Sequence, residues 1–116
     1  MLLNHMVENN DTIGIVARAI ADPVRRQILT ELKSGPATVG QLGAPHDMTF
    51  AGVAKHLKIL VDARLVKKTK AGRQQICTLD ASTMRSLQAW LQEYEEFWDE
   101  RLDALEAAVK EFESEK

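Results

Sequence analysis

Seven basic side chains, Lys55, Lys58, Arg64, Lys67, Lys68, Lys70 and Arg73, fall between Thr49 and Arg73, against the single acid Asp62. Such a run could neutralise a polyanion, because each cation set against a phosphate releases condensed counterions. The opposite imbalance follows it. From Ser82 to Lys116 ten acids stand against four bases, Arg85, Arg101, Lys110 and Lys116. A net charge of −2 over 116 residues hides this asymmetry. One part of the chain suits phosphate and another repels it; ordinary solvated charge would give the same counts.

Other chemistry is poorly provided for. No glycine-rich phosphate loop and no supported Ser-His-Asp set occurs, and His5, His46 and His56 lie in separate segments. Cys77 is the only cysteine, so it cannot form an intramolecular disulfide or a thiolate cluster for zinc. The chain is therefore expected to be no enzyme and to need no cofactor and no metal. Cys77 could be an inert packed thiol or a redox switch. The longest apolar run is a few residues, too short for a membrane span, and Met1 to Met6 lack the basic start of a signal peptide. These features predict a cytoplasmic protein with no membrane partner.

Hydrophobic spacing gives the elements that must position the basic residues. Ile13, Val16 and Ile20 predict a first helix over Thr12 to Ile20. Asp22-Pro23 reads as an N-cap followed by proline in the first turn, opening a second helix to about Lys33. Its apolar stripe is Val24, Ile28, Leu29 and Leu32, and Gly35 is available for its C-terminal turn. Thr38 caps a short helix, Val39 to Gly43. His46-Asp47-Met48 is a tight turn, and Thr49 caps a longer helix, Phe50 to about Ala63, with Val53, Leu57 and Leu60 on one face. Two helices joined so tightly form a helix-turn-helix signature.

The period then changes. Leu65 to Thr69 and Gln74 to Leu79 read as strands around a turn at Lys70-Ala71-Gly72-Arg73. A basic-tipped hairpin directly after the helix pair is a wing. A last helix, opened by Asp80 or Ser82, runs to about Phe112 or beyond, with Leu87, Trp90, Leu91, Tyr94, Phe97, Trp98, Leu102, Leu105, Val109 and Phe112 mostly three or four apart. Thirty helical residues span roughly 45 Å, longer than the rest of so small a domain. The stripe needs a partner helix, or it could line a ligand pocket.

The expected fold is mainly α with a small β-hairpin wing (α+β), a winged helix-turn-helix that acts as a homodimer. It is one domain, with a DNA-binding core over residues 12–79 and a C-terminal dimerisation helix over residues 80–116. The longer helix of the pair should enter a major groove and read base edges. Thr49 could donate to a phosphate or base, Phe50 and Ala51 could touch thymine methyls, and Lys55, His56 and Lys58 could meet phosphate or base. Thr38 and Gln41 on the shorter helix, with Lys67, Lys68, Lys70, Arg73 and Gln74 on the wing, would add backbone contacts, Arg73 reaching a minor groove. Phe50 could instead pack inside the helix pair, and His56 could lie half-buried against the preceding helix. Arg25 and Arg26 could reach phosphate or pair with Glu31 or an acid of the last helix. Ile13, Val16, Leu87, Leu91, Tyr94, Trp98, Leu102 and Leu105 are the expected dimer contacts.

The stretch Ala21-Asp22-Pro23-Val24-Arg25-Arg26-Gln27-Ile28-Leu29 closely resembles the second helix of the ArsR family of winged-helix regulators. Val53-Ala54-Lys55-His56-Leu57-Lys58-Ile59-Leu60, followed by Leu65-Val66 and Gly72-Arg73, is similar to the family's recognition helix and wing. The resemblance covers about Val16 to Leu79. It implies a homodimer joined through its terminal helices, binding double-stranded operator DNA, usually as a repressor and often released by a small-molecule or other signal. The family's metal sensors carry paired cysteines where this chain has Thr38-Val39-Gly40-Gln41-Leu42, or histidines and carboxylates in a last helix that here has no histidine. The chain resembles a subgroup without those sites. Ala54 replaces a frequent serine, removing a polar contact. Arg64 replaces a usual glycine at a position that implies a left-handed backbone.

Overall fold

The computed structural model describes the backbone of residues 2–115 and the side chains of residues 11–115. The elements in chain order are α1 (Leu2–Ile20), α2 (Pro23–Leu32), β1 (Ala37–Thr38), α3 (Val39–Gly43), a 3-10 turn (Ala44–His46), α4 (Phe50–Asp62), β2 (Val66–Ala71), β3 (Gln74–Leu79) and α5 (Met84–Ser114). They form two compact units, Met1–Ser86 and Leu87–Lys116.

The caps follow from residue type. The Asp22 carboxylate accepts from the Val24 and Arg25 N–H groups at 2.8 and 3.2 Å, satisfying two donors that an α-helix leaves orphaned at its start. Thr38 and Gln41 make a reciprocal capping box, and the Thr49 hydroxyl accepts from Gly52 N–H at 3.1 Å. The last helix begins at Met84, later than its polar residues suggest. Asp80 instead spends its carboxylate on the N–H and hydroxyl of Ser82, holding a turn.

The core of the first unit is built from the buried faces of these elements: Val16 and Ala19 of α1, Ile28 and Leu32 of α2, Val39 and Leu42 of α3, and Val53, Leu57 and Leu60 of α4, with Leu65, Val66 and Cys77. Val24 and Leu29, expected in the stripe of α2, are only half-buried. At Gly43, α3 lies hard against Val53 of α4. A Cβ there would lie 2.6 Å from Val53 Cγ2, so the approach requires glycine.

The sheet has three strands in the order β1-β3-β2, all antiparallel. The two-residue β1, which pattern reading misses, pairs Ala37 with Cys77 and Thr38 with Ile76. It is too short to carry a period. The hairpin is longer than expected: β2 runs on through Lys70 to Ala71, and Gly72-Arg73 alone make the turn, Ala71 facing Gln74. Gly72 takes φ +62°, the left-handed backbone a two-residue hairpin turn needs at its first position.

Arg64, just after α4, has φ +58°, as its place in the family pattern implies. Leu65 N–H donates back to Leu60 O at 2.9 Å, and the Thr83 hydroxyl holds the Ala63 carbonyl at 2.7 Å, so the bend is fixed from both sides. A side chain in this region costs about 1 kcal/mol or more over glycine. Arg64→Gly is therefore expected to stabilise the fold by about 0.5–1 kcal/mol in denaturant unfolding, after the entropy glycine adds to the unfolded chain. A destabilised variant would show that the Arg64 side chain makes up for its backbone.

Candidate nucleic-acid interface

The site is assembled on α4 and the hairpin. The buried face of α4, Val53, Leu57 and Leu60, docks it on the core. That docking turns Ala51, Lys55 and Lys58 outward to solvent, with Thr49 and Phe50 exposed at the helix start. Phe50 is 69% exposed. It does not pack inside the helix pair. An exposed phenyl ring at a helix start is a large apolar surface that its own chain leaves mostly uncovered.

Phe50 instead shares a shallow depression with Thr38, Val39 and Gly40 on one side and Lys70, Arg73, Gln74 and Gln75 on the other. The start of α4, the start of α3 and the wing tip thus border one surface of the first unit. Strand alternation decides which wing cations join it. Val66, Lys68 and Lys70 project to one face, opposite Leu79, Cys77 and Gln75; Lys67 and Thr69 project to the other, opposite Thr78 and Ile76. Lys70, on the first face, borders the depression, whereas Lys67 is on the far side of the hairpin from Lys68 and Lys70. Period-two alternation in the sequence already carried that distinction.

Several polar atoms expected to be free are engaged. Thr38 Oγ accepts from Gln41 N–H at 3.2 Å, and Gln41 Oε1 accepts from Thr38 N–H at 2.8 Å. What they can offer a ligand is a hydroxyl proton and an amide NH2. Thr49, its oxygen accepting from Gly52, keeps its hydroxyl proton for an external acceptor. Lys58 pairs with Asp62 at 2.9 Å on the exposed face, an i,i+4 pair worth only a few tenths of a kcal/mol, so a phosphate can displace it.

Among the described residues Arg25 and Arg26 do not pair with Glu31; backbone carbonyls take up their donors instead. Arg25 donates through Nε to Ala19 O at 2.6 Å and through Nη2 to Arg18 O at 2.9 Å. Arg26 Nη1 donates to Ile20 O at 2.7 Å and Ala21 O at 3.0 Å. Together they supply donors to the carbonyls at and just after the end of α1, where the helix runs out of its own N–H groups. The remaining nitrogen of Arg25, Nη1, lies 3.3 Å from His56 Nδ1. His56 is half-buried against α2. Partial burial works to raise the Asp22 carboxyl, but the Arg25 and Val24 N–H groups, with His56 and the Arg25 charge nearby, hold it below the ordinary 3.8.

Burial pushes the Cys77 thiol up, against a lowering effect of Lys68. A raised thiol stays protonated at neutral pH, which suits a packed side chain rather than a nucleophile. Among the described residues no three His, Cys, Asp or Glu cluster as metal ligands would. No helix of the described chain is long and apolar enough to cross a membrane.

The residues expected at a dimer contact divide. Val16 is 0% exposed and belongs to the core of its own chain. Helical spacing marks a buried side but cannot say whether a neighbouring element or a second subunit buries it. Ile13 is half-buried, and Ile15, which falls outside the helical spacing of Ile13, Val16 and Ile20, is exposed. In α5, Leu87 is half-buried while Leu91, Tyr94, Trp98, Leu102 and Leu105 are exposed, as are Trp90, Phe97, Val109 and Phe112. Trp90 and Tyr94 pack at 5.1 Å between ring centroids, Phe97 and Trp98 meet edge-on at 5.4 Å, and Arg101 lies 4.8 Å over the Phe97 ring.

Comparison with known proteins agrees with this geometry. A helix-turn-helix domain family matches residues 20–69. An HTH-type transcriptional regulator of Mycobacterium tuberculosis, Rv2034, is 35% identical over 85 residues, 73% of this chain and 77% of that protein. The transcriptional repressor SdpR of Bacillus subtilis is 29% identical over 66% of this chain and 84% of its own length. The crystal structure of an ArsR family transcriptional regulator superposes with a TM-score of 0.70 at 35% identity, covering 76% of this chain and 97% of the other.

Proposed function

Since this chain belongs to the ArsR family of winged helix-turn-helix, DNA-binding transcriptional regulators, we propose that it works as a cytoplasmic homodimer on a short, roughly palindromic operator and represses by excluding polymerase. Each α4 enters a major groove, with half-sites about one helical turn apart. The observation that carries the placement is the shared surface of Phe50, Lys70, Arg73 and Gln74. An α-helix fills one major groove, and a wing bordering its start then falls on the flanking backbone or minor groove. Thr49, Lys55, His56 and Lys58, with Lys68, Lys70 and Arg73, supply donors and cations; Phe50 and Ala51 supply contacts for thymine methyls; Thr38, Gln41 and Gln74 lie at the edge. Lys67 is left to long-range attraction. So few hydrogen-bonding groups on α4 favour modest base specificity with a large phosphate share.

Dimerisation falls to the exposed stripe of α5, with Ile13 and Ile15 of α1 as further apolar surface. A run of nine apolar side chains from Trp90 to Phe112, all exposed in one chain, calls for a second helix. Membership of a transcription-regulator family favours a role without catalytic activity.

The test is binding to the DNA upstream of its own gene and to random duplex at two salt concentrations. The upstream DNA should bind more tightly, with a steep salt slope. Lys55→Ala and Arg73→Ala should each weaken binding and lower the logarithmic salt slope by about one unit while sedimentation still finds the dimer. Loss of the dimer in either variant would refute this assignment of surfaces. Equal, feeble binding to both duplexes would favour a protein-interaction module, a role the exposed Phe50 and the acidic, aromatic α5 would also suit.

A further inference from the structure

We propose that Arg25 is a positioning residue that fixes His56 of the recognition helix as an outward Nε2–H donor, directed at a hydrogen-bond acceptor of the DNA. This rests on the reading that α4 is the element that enters the groove.

The Nε and Nη2 of Arg25 are committed to the carbonyls of Ala19 and Arg18, at 2.6 and 2.9 Å, and Asp22 Oδ2 lies 3.9 Å from Nη1. The guanidinium is therefore held in one orientation by the end of α1 and the cap of α2. Its Nη1 then faces His56 Nδ1 at 3.3 Å. A guanidinium has only donors. A ring nitrogen facing it at that distance must present its lone pair, so the neutral ring carries its proton on Nε2. Nε2 has no hydrogen bond within the described chain, and it is not among the atoms buried without a partner. It is an unsatisfied donor that is not sealed from solvent, on the flank of α4 where Gly52 and Thr49 precede His56 by four and seven residues. Thr49 keeps its own hydroxyl proton free on that flank.

The acceptors a duplex offers such a donor are guanine O6 or N7, adenine N7, thymine O4 and the phosphate oxygens. A histidine free to exchange tautomers would read acceptors and donors alike. One locked as Nε2–H discriminates against the exocyclic amino groups of adenine and cytosine. Because Arg25 is tied to the last carbonyls of α1, the ring also reports where that helix end lies relative to α4.

The experiment has an arm without DNA. Long-range proton–nitrogen spectra of ring-labelled histidine should place the His56 proton on Nε2 in the unaltered protein and on both nitrogens in Arg25→Met. A proton on Nδ1 in the unaltered protein overturns the proposal. The second arm measures binding to a duplex selected from a random pool and to the pool itself. His56→Gln, whose amide NH2 falls near Nε2, should stay within about threefold of the parent, whereas His56→Asn and His56→Ala should lose about tenfold. Arg25→Met should lose about three- to tenfold alone and nothing further in the His56→Ala background. Equal loss in both backgrounds would show that Arg25 acts by another route and overturn it. A loss confined to the selected duplex assigns the donor to a base edge, and equal loss on pool and selected duplex assigns it to phosphate. If Lys55→Ala and His56→Ala both leave binding unchanged while the proton is on Nε2, the recognition-helix reading has failed and the DNA half of the proposal with it.

Discussion

Replacing Trp98 by alanine is expected to raise the dimer dissociation constant by roughly two to three and a half orders of magnitude. The ring is 57% exposed in the single chain, so the folded subunit loses little when it is removed. In the proposed dimer both Trp98 rings are covered, each burying only the part exposed in the single chain. At about 3–5 kcal/mol for a wholly buried ring, the two half-rings together account for about 3–5 kcal/mol, and each 1.4 kcal/mol is a factor of ten in affinity. Sedimentation over a dilution series separates the two states. The variant should become monomeric at concentrations where the parent is dimeric, with a far-ultraviolet spectrum of unchanged helix content. Operator binding should fall with it, because a monomer holds one half-site only. A dimer of unaltered affinity would place the Trp98 ring outside the contact and move the proposed interface elsewhere on the molecule.

The second large effect lies inside the subunit. Leu57 is fully buried in the middle of α4. Leu57→Ala is expected to cost about 2–5 kcal/mol of folding stability, through lost transfer energy and the cavity left behind. For a domain of this size the whole stability is on the order of 5–15 kcal/mol, so the variant should unfold at a markedly lower denaturant midpoint. Its DNA affinity should fall where the fold still holds, because the side chain it removes anchors the helix that carries Lys55 and His56. Midpoint and slope in urea decide it: an unchanged midpoint would show that the neighbours of Leu57 close over the gap.

Much of this molecule was legible before any coordinates. Asp22 before Pro23, Thr38 before the short helix and Thr49 before the long one are caps whose side-chain chemistry fixes a helix start. Arg64 in a glycine place announces a left-handed turn. The triplet Val53, Leu57 and Leu60 names the buried side of α4. What escaped the sequence is what depends on partners distant along the chain. Arg25 and Arg26 look like free cations until the end of α1 supplies carbonyls for them. Val16 sits at helical spacing whether its neighbour is the core or another subunit. Phe50 and His56 each had two readings. Packing resolves them in opposite directions, the phenyl ring outward and the imidazole partly inward against Arg25. Two residues of β1 cannot show an alternation at all.

The contact at Gly43 has a consequence for changing what this protein recognises. With Val53 Cγ2 standing 2.6 Å from where a Cβ would be, any side chain at position 43 must push α3 and α4 apart. The seating of α4 is thus set at a buried contact, on the other side of the helix from the exposed Phe50, Ala51 and Lys55. On the proposed role of α4, those three are the positions to vary in a library aimed at new operators, whereas a library that includes Gly43 or Val53 would disturb the seat of the helix.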